Sequence, residues 1–533
     1  MIKKRNIFFF IILGYLLVNS CKQKKDNEVI QDITITPITS FNNLFFDSVQ
    51  LDHFIQADST LIDLKDEFFN FYKQRNYELA WFDTSGISEH AFNFYNLLGA
   101  TAAELQDNTL LDAKFQLQLQ NLNNNHKKLF FKKDILRTEL LLTSQFFKYA
   151  SKVYTGQDID AVKLGWFIPT KKIELSKLLD TVIATKAKNP VIYIPFNSQY
   201  GKLQKQFLFY YQLQKKYPED TIAYLKNYPS INNESPIISS IKYRLFLLRD
   251  IAYFDSAQLF DIELLNAIQQ FQERHGLPKS RNINNNFIAE LNKPIKKRIE
   301  QILINLERAR WLPVEKDSNY FLVNIPEFKL HVFDSAVNTW DMNVIVGKTA
   351  TSTVIFNGNL KYVVFSPYWN IPSNITKNEI LPNIEKDRNY LAKNNMEQYG
   401  MSEGLPMFRQ KSGPTNALGL VKFLFPNSYD IYFHDTPNKN YFNTNNRSLS
   451  HGCIRLSEPK KLASYLLRND TTITENVMDS LMHLPKEKWI SVKKAVPVFI
   501  VYFTSWVDKN GLLNFRNDIY GHDEKMSLKM FVH

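Results

Sequence analysis

The sequence predicts a multidomain α+β protein, mainly helical at first and then β-rich, with a long insertion in the β-rich part. Up to about residue 310 the apolar residues recur at helical spacing, and from Tyr320 the period drops to two. Length agrees, since 533 residues suffice for about three domains at roughly 150 residues each. Hydrophobic residues at 44% and aromatics at 14% supply real cores, which excludes a disordered chain.

The chain opens on a basic n-region, Lys3, Lys4 and Arg5, followed by an almost wholly apolar run from Ile7 to Val18. That run is too short to span a bilayer comfortably and reads as the core of an export signal. It ends in Val18-Asn19-Ser20-Cys21, with a polar stretch from Lys22 to Glu28 behind it, and resembles a bacterial lipobox. The resemblance implies a signal peptide over 1–20 and a lipidated N-terminus at Cys21. An ordinary secreted protein or a signal anchor are the other readings. The expected location is therefore the periplasm of a Gram-negative-type envelope, with a lipid anchor in a membrane.

Net charge is +12, and loss of Lys3, Lys4 and Arg5 with the signal takes it to +9. Such a surface could meet nucleic acid, anionic membrane or an anionic wall polymer. Export disfavours nucleic acid, and the lysines are scattered rather than gathered in one patch. The chain has two cysteines, Cys21 and Cys453. With Cys21 lipidated, an internal disulfide is excluded, and an unpaired exported thiol needs another use. The plain alternative is an inert buried cysteine acting as a small apolar residue.

Residues 30–235 read as a helical scaffold domain. Leu61 to Tyr77, Ile135 to Val153 and Gln204 to Lys216 carry the helical period, Tyr77 to Asp83 breaks it, and Ser85-Gly86 marks a turn. His53, His90 and His126 are isolated and fit no metal spacing. Residues 238–294 form a small helical unit, with helices over Ile241 to Asp250, Asp261 to His275 and Phe287 to Leu291. Gly276 and Pro278 end the second of these. Its run Ala267 to Leu277, with Asn282 to Asn292, resembles the three-helix peptidoglycan-binding module of wall enzymes, although an ordinary helical spacer would look alike. Residues 295–313 form a linker helix, with Ile295, Ile299, Ile302, Leu303 and Leu306 on one face and Lys296, Lys297, Arg298 and Glu300 outward. Pro313 stops it.

Residues 317–485 read as the β-rich domain. Its expected strands are Phe321 to Ile325, Lys329 to Phe333, Asn343 to Val346, Lys361 to Phe365, Val421 to Phe425 and Tyr429 to Phe433. The 368–414 insertion has a helical pattern at Lys377 to Asn395 and reads as a lid. A helix is expected from Ser457, with Ser457 as N-cap. In the tail, 486–533, Val498 to Phe503 is strand-like and Gly511 marks a turn, so the tail is expected to pack on the scaffold or on the sheet of the β-rich domain.

The chemistry concentrates in Ser450-His451-Gly452-Cys453-Ile454-Arg455-Leu456. A cysteine attacks as thiolate and needs a base or an electropositive setting. Two histidines are near in sequence, His451 and His434. His434 ends a different strand and can face the thiol across a sheet, which makes it the better base. Asp435 or a backbone carbonyl could orient its imidazole. The amides of Gly452 and Cys453 could line an oxyanion hole, and Arg455 could hold a carboxylate or brace the loop.

Ser-His-Gly-Cys-Ile-Arg with His434 at a strand end resembles the signature of the L,D-transpeptidase catalytic domain. Val363 to Pro372, Pro414 to Phe423 and Ile431 to Pro437 match as well, most closely to large exported members with a peptidoglycan-binding module. The resemblance implies that Cys453 attacks the carbonyl between the diamino acid at stem position three and D-Ala at position four. D-Ala leaves, and the acyl group passes to the amine of another stem, giving a 3–3 crosslink. His434 would be base and then acid. Ser450, His451 and Gly452 would shape the acyl site and Arg455 support it, with Tyr432, Trp369 and Asn416 as pocket walls. Donor and acceptor stem peptides are the implied partners, acylation by carbapenems is expected, and no cofactor or metal is implied.

Three other readings stand beside this one. A zinc site from His434, His451 and Cys453 is possible by ligand type. An L,D-carboxypeptidase would use the same nucleophile and pass the acyl group to water, and some relatives join it to a protein lysine. A wall-binding scaffold without activity is the non-enzymatic reading.

Overall fold

The computed structural model describes residues 44–83, 86–105, 115, 132–151, 159–169, 174–185, 197–217, 220–313, 319–335 and 337–531. The expected signal peptide over 1–20, Cys21 and His126 lie outside them. Among these residues no helix is long and apolar enough to cross a membrane. The chain divides into two compact units, 1–154 with 173–194, and 155–172 with 195–533.

The first unit is helical, with helices at Ser48–Gln56, Lys65–Gln74, Glu89–Leu105, Lys132–Ala150 and Leu175–Ala184, and a minimal hairpin of β1 (Phe82–Asp83) and β2 (Gly86–Ile87). Its core is aromatic: Phe68 meets Phe147 edge-on at 5.1 Å, and Trp81 stacks on Phe94 at 5.6 Å. The break after Tyr77 has a physical anchor in buried Glu139, whose carboxylate accepts from the N–H groups of Ala80 and Trp81 at 2.8 and 2.9 Å and from the Tyr72 hydroxyl at 2.8 Å. Those bonds replace the water that a buried carboxylate loses.

The expected 30–235 scaffold does not stay in one piece. The helix Ser198–Lys216 belongs to the second unit, where it packs along Ile295–Trp311. Residues 159–169 belong there too, with Trp166 edge-on to Trp311 at 5.4 Å and bridged to Ile355.

The three-helix module has helices at Pro236–Leu247, Ile262–Arg274 and Asn285–Leu291, and Asp261 caps the second through a bond from the Leu264 N–H. Its core extends upstream to Ile222, so the unit starts before residue 238. Ile295–Trp311 is more than a linker. Arg298, Asn305, Glu307 and Arg308 are buried on it, and the expected outward face of Arg298 is a packed one. Asn305 exchanges bonds with Thr504 at 2.7 and 3.0 Å, and Arg308 pairs with Asp523 at 2.6 Å. An apolar stripe predicts one buried face. The second face is buried by polar pairing, which the stripe does not reveal.

The β-rich domain is built on β3 (Tyr320–Asn324), β4 (Lys329–Asp334), β5 (Val337–Gly347), β6 (Asn357–Phe365), β10 (Val421–Leu424), β11 (Phe433–His434), β12 (Ser448–Ser450), β13 (Ile454–Leu456) and β14 (Lys488–Val501). Their order is β12-β5-β13-β11-β10-β6-β14-β3-β4, and a further β4–β5 pairing closes eight of them into a ring with β12 on its rim. The insertion is a sheet of β7 (Trp369–Asn370), β8 (Met396–Ser402) and β9 (Leu405–Gln410) with short helices, around Ile371, Ile375, Ile380 and Phe408. The helical pattern at Lys377 to Asn395 is thus accompanied by a hairpin through Glu403-Gly404 that the sequence reading left out. Much of β8 is exposed, so it lacks a clear buried period.

Three more expectations change. Tyr429 to Phe433 is a loop, with only Phe433–His434 in a strand, because the Asn427 side chain bonds the backbone of Tyr429 and Ile431 and folds the segment back. The helix after Cys453 starts at Pro459 and Ser457 does not cap it; Ser457 instead donates its N–H to Asn343 O. The tail does not merely pack on the sheet. β14 lies within it, antiparallel to β6 and parallel to β3, followed by the hairpin β15 (Ser505–Val507) and β16 (Leu513–Phe515).

A chain ending at Glu487 lacks the strand between β6 and β3. It is expected to lose the cooperative thermal unfolding transition of this domain, measured by calorimetry. A transition like that of the full chain would show the tail to be dispensable.

Candidate active site

The site is set by the pairing of β11 with β13. They run parallel, with Phe433 opposite Ile454 and His434 opposite Arg455, and Ile454 N–H donates to Tyr432 O at 3.1 Å. Phe433 and Ile454 are fully buried in the core. Alternation along each strand then puts Tyr432, His434, Cys453 and Arg455 on the other face, with Cys453 beside Tyr432 and diagonal to His434.

His434 is buried, and its Nδ1 lies 2.5 Å from the backbone carbonyl of Asp435. A carbonyl only accepts, so Nδ1 carries the proton and Nε2 the lone pair. The Asp435 side chain is not the orienting group. Its carboxylate accepts from Leu420 N–H at 2.9 Å, Thr436 N–H at 2.7 Å and Lys439 Nζ at 2.5 Å. Burial, with Arg455, Lys422 and Lys439 nearby, pushes His434 down to about 3, so the imidazole is neutral across the physiological range.

The Cys453 thiol is half-buried and lies 3.5 Å from Asp430 O. Asp430 adopts φ 54°, and that twist turns the loop onto the sulfur. Burial pushes the thiol up, the N–H and hydroxyl of Tyr432 pull it back, and the Asp430 carboxylate adds to the rise. The resting thiol is therefore protonated at neutral pH.

The turn holding Cys453 is fastened from several sides. Ser450 Oγ donates to Cys453 O at 2.6 Å and accepts the Gly452 N–H at 3.1 Å. Thr353 Oγ1 donates to Gly452 O at 2.8 Å, and Thr351 Oγ1 to Ser450 O at 3.1 Å. Gly452 sits at φ 117°, open to glycine and strained for other residues. Gly347 backs the turn, and a Cβ there would fall 2.1 Å from Thr351 O and 3.1 Å from Gly452 Cα.

Several expected site residues take other places. The Gly452 amide is spent on Ser450, whereas the Cys453 amide has no hydrogen-bond partner among the described residues. Asn416 is fully buried, its amide donating to the carbonyls of Pro367, Gln410 and Lys411, so it braces the base of the insertion rather than lining a pocket. Trp369 packs on the insertion core. His451 is exposed, and its Nε2 lies 3.3 Å from Glu379 of the insertion. Among the described residues no group of three His, Cys, Asp or Glu side chains is placed to hold a metal.

The sequence reading missed Asp430, Thr351, Thr353, Lys422 and Glu379. Only Asp430, in an Asn-Ser-Tyr-Asp turn, had a local signal. An arrangement of this kind can pass the thiol proton to a neutral imidazole and hold a developing oxyanion in a positively charged surround.

Residues 318–477 match the family model of the L,D-transpeptidase catalytic domain, and residues 66–207 match a model described as a scaffold domain. A curated Haemophilus influenzae protein that carries an L,D-transpeptidase assignment is 30% identical over 244 residues, which is 43% of this chain and 49% of that protein. The chain thus spans about half the length of this relative. An L,D-transpeptidase structure from Xylanimonas cellulosilytica aligns at 13% identity over 52% of this chain and 100% of its own, with TM-score 0.17. One from Mycobacterium smegmatis aligns at 14% over 36% of this chain and 60% of its own, with TM-score 0.19.

Because His434 stays neutral down to about 3, the alkylation rate of Cys453 by iodoacetamide should rise with pH without a step near 6.5. Such a step, lost in His434→Gln, would show that His434 titrates as an ordinary histidine.

Proposed function

We propose that this chain, whose residues 318–477 match the model of the L,D-transpeptidase catalytic domain, is a peptidoglycan L,D-transpeptidase that forms 3–3 crosslinks through a Cys453 acyl-enzyme. The observation that carries this reading is the protonated thiol of Cys453 on one sheet face with a neutral His434, whose Nδ1 is fixed by a carbonyl. His434 Nε2 takes the thiol proton as Sγ attacks the carbonyl between stem positions three and four. The Cys453 N–H holds the oxyanion. His434 then gives its proton to the departing D-Ala nitrogen and leaves a thioester. The acceptor's side-chain amine attacks that thioester, loses its proton to His434, and the proton returns to sulfur. Ser450 and Gly452 fix the turn, Arg455 supplies positive charge beside the imidazole, Tyr432 steadies the sulfur and the insertion covers the donor stem. The three-helix module, with a cleft of about 430 Å³ beside Tyr228 and Asn285, would hold the chain on its polymer.

Incubation with disaccharide-tetrapeptide, read by mass, tests the acceptor. Crosslinked dimer, absent with Cys453→Ala, is the expected result. Tripeptide monomer alone would make the enzyme a carboxypeptidase, and no change would leave a binding protein. A carbapenem should add its mass at Cys453, and His434→Ala should slow that acylation by roughly a hundred- to ten-thousand-fold, the usual range for loss of a general base. An adduct elsewhere, or undiminished acylation, would remove these residues from their roles.

Anchoring through a lipid on Cys21, in the periplasm of a Gram-negative-type envelope, completes the proposal. Cys21→Ser should move the protein from the membrane fraction to the soluble one. If it fractionates unchanged, the anchor is wrong.

A further inference from the structure

A cleft of about 470 Å³ lies within the second unit, where the module, the turn between β3 and β4, the approach to β12 and the C-terminal segment meet. Arg447 and Arg516 face it, with Lys279 and Lys329 beside them and Glu273 and Glu327 opposing. Both guanidiniums are held mainly by neutral oxygens. Arg447 donates to Thr444 O at 2.9 Å, Phe328 O at 3.3 Å and Asn343 Oδ1 at 3.4 Å. Arg516 donates to Arg274 O at 3.0 Å and Phe515 O at 2.7 Å, and lies 4.9 Å over the Trp506 ring. Neither forms an ion pair among the described residues, and the Arg447 Nε is buried without a partner.

The opposing carboxylates are engaged elsewhere. Glu327 meets His331 at 2.8 Å, and Glu273 meets Lys279 at 2.8 Å. Against the pull of burial, the Glu327 and Asp341 carboxylates push His331 up to about 9, so it is a cation facing Glu327 at neutral pH. Burial pushes Arg447 down, and its neighbour Arg516 adds to that. Glu327 acts on both guanidiniums and Glu273 on Arg516 at longer range, but neither arginine has a carboxylate in contact among the described residues, and two neighbouring guanidiniums, one with a stranded donor, are costly to bury unless an oxyanion joins them. Arginine forks suit a planar carboxylate, which accepts two parallel bonds.

We propose that this cleft is a second ligand site, apart from Cys453, that takes a free carboxylate of a peptidoglycan stem peptide. The choice of stem as the source rests on the transpeptidase reading; the carboxylate chemistry rests on the arginines. Arg447 directly precedes β12, and Cys453 follows six residues later, so a stem held here lies along the same chain segment as the nucleophile.

Full-length Cys453→Ala protein removes turnover from the test. Calorimetric titration with disaccharide-tetrapeptide should show binding that weakens about tenfold or more in Arg447→Gln, as expected for loss of a charge-assisted bond. Lys329→Glu, on the cleft rim, should weaken it likewise and guards against a folding defect in the first variant. Hydrogen exchange should slow over 326–329 and 445–447 on binding, and a carboxyl-amidated tetrapeptide should lose this protection. Equal affinity in both variants, or equal protection by the amidated ligand, would overturn the site. Inorganic phosphate that protects the same segments while the tetrapeptide does not would overturn the carboxylate assignment. Carbapenem acylation of wild-type Cys453, measured alongside, reports the catalytic reading separately.

Discussion

The parallel pairing of β11 with β13 is the constraint on which the site depends. It involves only His434 with Arg455 and Phe433 with Ile454, plus one bond from Ile454 to Tyr432. A slip of one residue would turn both functional side chains into the core, since side chains alternate along a strand. The buried pair Phe433 and Ile454 opposes such a slip, because exposing two fully buried side chains costs about 1.5–3 kcal/mol each. Ser450, Thr351 and Thr353 then hold the turn before β13, and Tyr520 reaches the Gly347 carbonyl behind it.

Charge around Cys453 and His434 is divided, with cations near the imidazole and the Asp430 carboxylate near the thiol. Lys422, Arg455 and Lys439 surround an imidazole that burial already keeps neutral. Among them Arg455 also favours negative charge on the Cys453 sulfur. Burial, with the Asp430 carboxylate, keeps the resting thiol protonated despite Arg455, so it does not ionise by itself. Glu379 brings the insertion to the same place through its 3.3 Å contact with the exposed His451.

The site also depends on distant chain. β14 closes the sheet between β6 and β3, more than thirty residues after Cys453, and the buried helix Ile295–Trp311 is joined to Thr504 and Asp523 near the C-terminus. Contacts so far apart in sequence are entropically expensive to form and slow to fold. The catalytic sheet is incomplete until nearly the whole chain is made.

By itself the sequence determined the class of fold, the helices at Lys132–Ala150, Ile262–Arg274, Asn285–Leu291 and Ile295–Trp311 and the strands β3, β4 and β10 to within a few residues, and the motif holding Cys453 and His434. Those follow from periods and short words, which are local. It left open whether the Asp435 side chain or a carbonyl orients the imidazole, and it took Asn416 for a pocket wall. It also took Ile295–Trp311 for a linker, and 486–533 for a tail packed against the sheet or the scaffold. Tertiary structure decided these because each depends on a partner far along the chain: Leu420 claims the Asp435 carboxylate, Pro367 and Gln410 claim Asn416, and β3 and β6 claim β14. Hydrogen bonds and register between distant segments leave no period in the sequence that contributes them.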